Sequence, residues 1–465
     1  MYARIRSFCN VLVFLVLTFE DELSFEKKWE TPWRIFYGVL SWKLPGARLW
    51  VLDGLVIYML FAIRNQKGTK TGRVKQLDRL CWLSLGSLIV WSFYGYFRGG
   101  DAQQMRLQVH THVVSMLTAL LFTGVYRTTD DFMKLGRIIV YAALFRAAMA
   151  WLFIRFVLRV KGLSADYVLD HGDTVLLVTA FVVTVADAVH TRKRVKLWKT
   201  LGIIAVMLYA IQVNNRRLAW VSLLLSLPII YYLSTQNSAR KRLHRTVSVL
   251  IPVLIIYVGV GWGRTERVFK PLFALQQMGG EQKDLSAESR ILENLGLART
   301  LNSAPLLGTG FGHEYLEVSD VLAPKDVFPM YKYDPHNSLV GLAAFMGGIG
   351  FFCVWLIFPM TAYYGARAYR FAITPSERTV AVCAVAEVII HANQMFGDIG
   401  ISSTQGQVLV PIAIAAASRM AVLTGATGVP RAQPPGQAPP RREEPQPQHV
   451  DVDVQNFTVG TRNVT

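Results

Sequence analysis

The sequence is short of charge. Of its 465 residues only 17% are Asp, Glu, Lys or Arg, against 52% that are hydrophobic. A soluble domain carries about 25% charged residues, so a water-soluble body is excluded. Cysteine is scarce as well. Cys9, Cys81, Cys353 and Cys383 all lie in apolar stretches, with no C-x-x-C spacing. That argues against a disulfide framework or a zinc site and leaves buried thiols. No internal repeat is visible. The run Gly308-Thr309-Gly310-Phe311-Gly312 lacks the Lys-Ser/Thr of a phosphate-binding loop and reads as a tight turn.

Basic residues outnumber acidic ones, 49 to 31, for a net charge of +18. In a nucleic-acid-binding protein they would form a patch on a polar body. Here they fall in short clusters between apolar runs. The excess therefore reads as membrane topology, with anionic lipid on one leaflet as its partner and no nucleic acid.

Long apolar runs dominate what is present. A transmembrane helix needs about 20 mostly apolar residues. Candidates lie at 5–19, 48–63, 80–97, 110–126, 137–158, 172–190, 198–213, 217–234, 246–262, 337–365, 379–396 and 404–423. The expected fold is all-α, a polytopic membrane protein of about twelve transmembrane helices. The first run carries Arg4 and Arg6 and is followed by Glu20-Asp21-Glu22 instead of a small-x-small cleavage site, so it reads as a retained span. Connections after the even-numbered runs are basic: Lys67, Lys70 and Arg73; Arg127 and Lys134; Arg192 to Lys199; Arg240, Lys241 and Arg242; Arg367 and Arg370. These belong in the cytoplasm, which puts both termini there too.

The chain thus divides into helices 1–9 over 1–262, a long outward loop over 263–335, helices 10–12 over 336–426, and a tail over 427–465. The tail holds seven prolines among Gln, Arg and Glu and cannot build a core, so disorder in the cytoplasm is expected. Its Asp451-Val452-Asp453 is a chance D-x-D match. The long loop is slightly acidic. Ser286 can cap a helix in it, Glu288 suits the first turn, Ile291, Leu295 and Ala298 make one apolar face, and Pro305 ends it. A helical cap on the outer membrane face is expected.

Ionisable residues in spans cost roughly 2.5–3.5 kcal/mol each on insertion scales. Arg146, Arg155, Asp187, Asp53 and Glu387 fall in or near spans, and structural pairing is the expectation for them. The outer face is more informative. Asn214-Asn215-Arg216-Arg217 fills a tight turn where positive charge is disfavoured. Those arginines either anchor lipid headgroups or grip a ligand phosphate bidentately. Arg264 and Arg267 emerge just past span 9, and Arg290 opens the loop helix. Tyr333-Asp334-Pro335-His336-Asn337-Ser338 precedes span 10. Pro335 is expected to place His336 in the first helical turn. There the dipole and nearby arginines favour the neutral imidazole that a general base requires. His313, beside the glycine-rich turn, is the competing histidine.

These residues resemble the O-antigen ligase family, part of a superfamily with O-antigen polymerases and bacterial O-oligosaccharyltransferases. The family pattern is His, then Asn, Ser or Gln, nine residues, Gly, two residues and Gly or similar. His336-Asn337 is followed by residues 338–346, then Gly347, Gly348-Ile349 and Gly350. Ser289-Arg290 and Pro305-Leu306-Leu307-Gly308-Thr309-Gly310 also resemble the superfamily. The resemblance implies a membrane-embedded glycosyltransferase of GT-C type that uses no cofactor, metal or ATP. The implied donor is a glycan on undecaprenyl pyrophosphate. The implied acceptor is a sugar hydroxyl of lipid A–core at the periplasmic face of the bacterial inner membrane. By the same resemblance the essential arginines map onto Arg216 or Arg217 and onto Arg290, and the essential histidine onto His336. A family carboxylate maps, more loosely, onto Asp398, and Asn337 supports the site. Arg264 is added for its position.

In that reading arginines hold the leaving pyrophosphate, His336 takes the acceptor proton, and the anomeric centre inverts. Three alternatives stand beside it: a polymerase of the same superfamily, a protein O-oligosaccharyltransferase, and a transporter of an amphiphilic anion. A metal-dependent route would draw on Glu20-Asp21-Glu22, whose competing reading is a solvated run beside the membrane.

Overall fold

Periodic apolar sequence folds here into helices. The computed structural model describes residues 2–19, 51–64, 72–160, 168–191, 197–234, 238–264, 266, 269, 272, 285–319, 329–398, 400 and 403–428, with no strand among them. In chain order the helices are α1 Tyr2–Phe19, α2 Val51–Arg64, α3 Lys75–Phe97, α4 Ala102–Val125, α5 Thr129–Phe153, α6 His171–His190, α7 Leu197–Asn214, α8 Arg217–Leu233 and α9 Ser238–Gly261. They continue as α10 Leu285–Ser303, α11 Ser338–Trp355, α12 Ile357–Phe371, α13 Pro375–Gly397 and α14 Gly406–Leu423. Glu20-Asp21-Glu22, Lys67, Lys70, residues 192–196, Arg267 and the tail with Asp451-Val452-Asp453 lie outside the described residues.

Each apolar run read from the sequence overlaps a helix among the described residues. Seven helical stretches are long and apolar enough to cross a membrane, and the shorter apolar helices Leu52–Ile63, Trp198–Asn214 and Arg217–Leu233 add to them. The run at 337–365 differs from expectation. Helix continues to Phe371, making one stretch of 34 residues, about 51 Å at 1.5 Å per residue, well beyond a hydrocarbon core of about 30 Å. The excess is broken at Gly347, whose φ of 61° and ψ of −176° are not helical.

Helix starts follow local chemistry. Thr128 with Asp131, Asp170 with Asp173, and Thr374 with Glu377 form reciprocal capping boxes on α5, α6 and α13. The main core packs α14 against α4 and α13, and α6 against α13 and α7. Inside it, Arg146 of α5 donates from Nε to Asp173 of α6 at 2.7 Å, with both side chains buried. His110 pairs with Asp53 at 2.9 Å, Thr179 donates to Glu387, and Thr191 donates to Asp187 at 3.0 Å. Arg155 lies exposed on the π-helical turn that ends α5.

A second, smaller core holds the loop to the bundle. Leu88 and Trp91 of α3, Leu297 of α10, Phe311, Tyr315, and Leu342 and Phe345 of α11 pack together. Within it the two glycine motifs meet. Thr309 N–H donates to Ala344 and Gly310 N–H to Phe345, while Gly348 N–H donates to Pro305 and Ile349 N–H to Leu306. The break at Gly347 therefore exposes main-chain groups that the 305–310 turn satisfies. A Cβ at Gly347 would lie 2.3 Å from the Leu306 carbonyl carbon, and one at Gly308 2.4 Å from that of Phe345. Backbone on backbone leaves no room for a side chain at either position.

One expected face is turned the other way. Ile291, Leu295 and Ala298 of α10 are exposed. The inward face carries Glu293, Gly296, Leu297 and Thr300, because α10 is held by polar contacts and the small core, not by its most apolar stripe.

Candidate active site

Five chain segments converge at one end of the bundle. The first is the turn between α7 and α8. Asn215 takes a left-handed φ of 51°, which suits Asn. Asn214 is buried and pinned, accepting from Leu169 N–H at 3.1 Å. Arg216 follows as the N-cap of α8. Its Nη1 lies 2.9 Å from the ring nitrogens of His171, the first residue of α6. His171 in turn pairs through Nδ1 with the carboxylate of Asp398 at the C-terminus of α13. Arg217 opens α8 next to Arg216 and is half-buried.

The second side comes from α10. Arg290 Nη1 donates to the carbonyl of Gly397 at 2.8 Å, neutralising the end of α13 beside Asp398. Asp398 is buried. Burial pushes its carboxyl up, but the hydrogen bond and charge of His171, with Arg290 and Arg216, outweigh that and hold it down at about 2. Two guanidinium groups therefore flank one carboxylate.

One turn further along the same face of α10 stands Glu293, 1% exposed. Its carboxylate accepts the His336 backbone N–H at 3.0 Å and lies 3.2 Å from His336 Nδ1. The Tyr331 ring packs 4.3 Å from the imidazole, centroid to centroid. Burial raises the Tyr331 hydroxyl above its ordinary range. The carboxylates of Asp398 and Glu293 add to that rise, while Arg290 and Arg216 oppose it. Tyr331 stands against His336, and Arg290 and Glu293, one turn apart on α10, tie the two halves of the site to one helix.

His336 differs in detail from the sequence expectation. α11 begins at Ser338 and is capped by Asn337, whose Oδ1 accepts from Val340 N–H at 3.1 Å. His336 therefore sits just before the cap, outside the first turn. What orients its ring is Glu293: a carboxylate at Nδ1 favours the proton there and leaves Nε2 as the basic nitrogen. Asn337 also donates to Asn294 at 2.9 Å, tying α11 to α10. His313 lies elsewhere, with Nε2 3.2 Å from the Gly95 carbonyl. Arg264 is exposed at the end of α9, its guanidinium 5.9 Å from the Phe269 ring centroid. Among the described residues it touches none of the groups above.

Sequence reasoning missed Glu293, His171 and Tyr331. Glu293 had a signal, standing three residues after Arg290 on one helix face. His171 sits next to the acidic residues that start α6. Tyr331 had none.

The fold and site define a class: a polytopic helical membrane protein with a cationic and imidazole cluster at one end of its bundle. Residues 202–355 match the family model described as O-antigen ligase, and that match supports the O-antigen ligase family for this chain. The matched stretch carries Arg216, Arg290, Glu293, Tyr331 and His336; His171 and Asp398 lie outside it. No curated protein matches the chain.

Proposed function

We propose that the protein is an O-antigen ligase. It moves a glycan from undecaprenyl pyrophosphate to a sugar hydroxyl of lipid A–core at the periplasmic face of the bacterial inner membrane. The architecture proposed is twelve spans of GT-C type with both termini cytoplasmic. The observation that carries the reading is the pair on α10: Arg290 turned to the Asp398 corner and Glu293 turned to His336, one helical turn apart.

The chemistry follows from those positions. The acceptor oxygen attacks the anomeric carbon and forms the new glycosidic bond as the bond to the pyrophosphate oxygen breaks. The acceptor proton passes to His336 Nε2, while Glu293 stabilises the imidazolium that forms. Arg216 and Arg290 hold the departing diphosphate, which leaves as undecaprenyl pyrophosphate. Interface arginines do this by fixed electrostatics, without reorganising during the reaction. Asp398 keeps the two guanidinium groups facing one corner before the donor arrives. Arg217, next to Arg216, and Arg264, exposed at the end of α9, meet lipid or donor phosphate. A single displacement inverts the anomeric centre.

The test is complementation of a strain lacking its ligase, read as the return of long-chain lipopolysaccharide, with His336→Ala as control. Chains lengthened without attachment to core, or transfer to a protein, would instead mark a polymerase or a protein-directed enzyme.

A further inference from the structure

Between the middle and the other end of the bundle the same helices enclose a cavity. α7 is 18 residues long, about 27 Å at helical rise. Arg216 stands two residues beyond its last, whereas Lys199 lies near its first. α6 starts at His171 and carries Asp187 in its last turn. α13 ends beside Asp398 and carries Glu387 at mid-length. Between α5, α6, α7, α13 and α14 lies a partly open cavity of about 220 Å³, lined by Arg137, Lys199, Asp187 and Glu387 among apolar walls.

Two features make it more than a gap between helices. Glu387 is 4% exposed; one carboxyl oxygen takes the Thr179 hydroxyl, and the other, Oε1, has no hydrogen-bond partner among the described residues. A buried acceptor left unpaired is costly, and this one lines an open cavity. Arg137 and Lys199, both exposed, supply positive charge on the same lining. Apolar walls, two cations and a buried carboxyl oxygen without a donor match one kind of amphiphile.

We propose that this cavity binds one anionic glycerophospholipid with a hydroxylated headgroup, of the phosphatidylglycerol type. Its phosphate lies on Arg137 and Lys199, its headgroup hydroxyls donate to Asp187 and Glu387, and an acyl chain runs along Val140, Val183 and Ile203. The site is separate from the transfer site and does not depend on it.

Native mass spectrometry of the full chain tests this, after exchange into nanodiscs containing phosphatidylglycerol, phosphatidylcholine or a polyprenyl phosphate. The wild type is expected to retain one phosphatidylglycerol about tenfold better than phosphatidylcholine, the scale of two interfacial cations partly screened by water. Arg137→Glu with Lys199→Glu removes that preference. Glu387→Ala lowers phosphatidylglycerol retention with the cations intact. Val140→Trp, which fills the cavity and keeps its charges, abolishes retention, and a near-normal thermal midpoint for it confirms folding even where the charge reversal does not fold. Equal retention of the two phospholipids by the wild type would overturn the proposal. So would stronger retention of the polyprenyl phosphate, or undiminished phosphatidylglycerol on the Val140→Trp protein.

Discussion

At the residue scale the site turns on how one imidazole is held. His336 stood out in the sequence as the candidate base because His-Asn before a long apolar run, with glycines at fixed distance, is an unusual pattern. Its partner was harder to see. A glutamate in a slightly acidic loop looks like solvated surface, and only the fold shows Glu293 buried and 3.2 Å from Nδ1. His336→Ala should cost about 10²–10⁴-fold in transfer, the usual weight of general-base help. Glu293→Gln keeps the volume and removes the charge; transfer should fall about tenfold or more while His336→Ala shows no further loss when the two are combined. Rates in reconstituted membranes check both. Asp398 gives a pH prediction. Its carboxyl is held down at about 2 by His171, Arg290 and Arg216, below an unfolded value of about 3.9. A depressed acid stabilises the fold above the unfolded value and loses that contribution as pH falls through the folded one. Asp398 therefore stays ionised throughout the neutral range. Asp398→Asn should lower transfer at every pH tested above about 5 without moving the limbs of the profile; a shifted acid limb would contradict this.

At the element scale, most of the helices were readable and their faces were not always so. Apolar runs fix where helices lie because a membrane span leaves little choice. The face of α10 was misread, since Ile291 and Leu295 made the better apolar stripe yet the helix is anchored by Glu293, Arg290 and the Leu297 contact. The break in α11 was also hidden in its sequence. Gly347 looked like one glycine of a motif, and its reason appears only where the 305–310 turn hydrogen-bonds across it. Gly347→Ala should be costly, since it adds a Cβ 2.3 Å from Leu306 at a φ of 61°. A loss of about 1–3 kcal/mol is expected, read as a lower thermal midpoint in detergent. Gly202→Ala, whose Cβ meets nothing within 4 Å, is the matched control and should leave the midpoint unchanged or raise it.

At the scale of the whole molecule, charge distribution sets orientation and buried pairs hold the bundle. The Arg146–Asp173 pair is almost wholly buried. Arg146→Leu leaves an uncompensated carboxylate and should destabilise by about 3–5 kcal/mol, whereas Arg146→Leu with Asp173→Leu should recover most of it. The thermal midpoints of the three proteins decide it. Basic connections in the sequence imply that Thr191 and Ser319 lie on opposite sides of the membrane. In a background free of native cysteines, Ser319→Cys should react with an impermeant maleimide in spheroplasts and Thr191→Cys only after permeabilisation. Where the sequence ran out was in three dimensions: nothing in the order of residues tells that the start of α6 meets the end of α13.

α10 carries both the arginine that faces the Asp398 corner and the glutamate that holds His336, and its other side faces outward. It works as a single jaw. If the proposed roles hold, a tilt of that jaw would move grip and proton acceptor in step, leaving no posture in which the donor is held firmly while the base is disengaged.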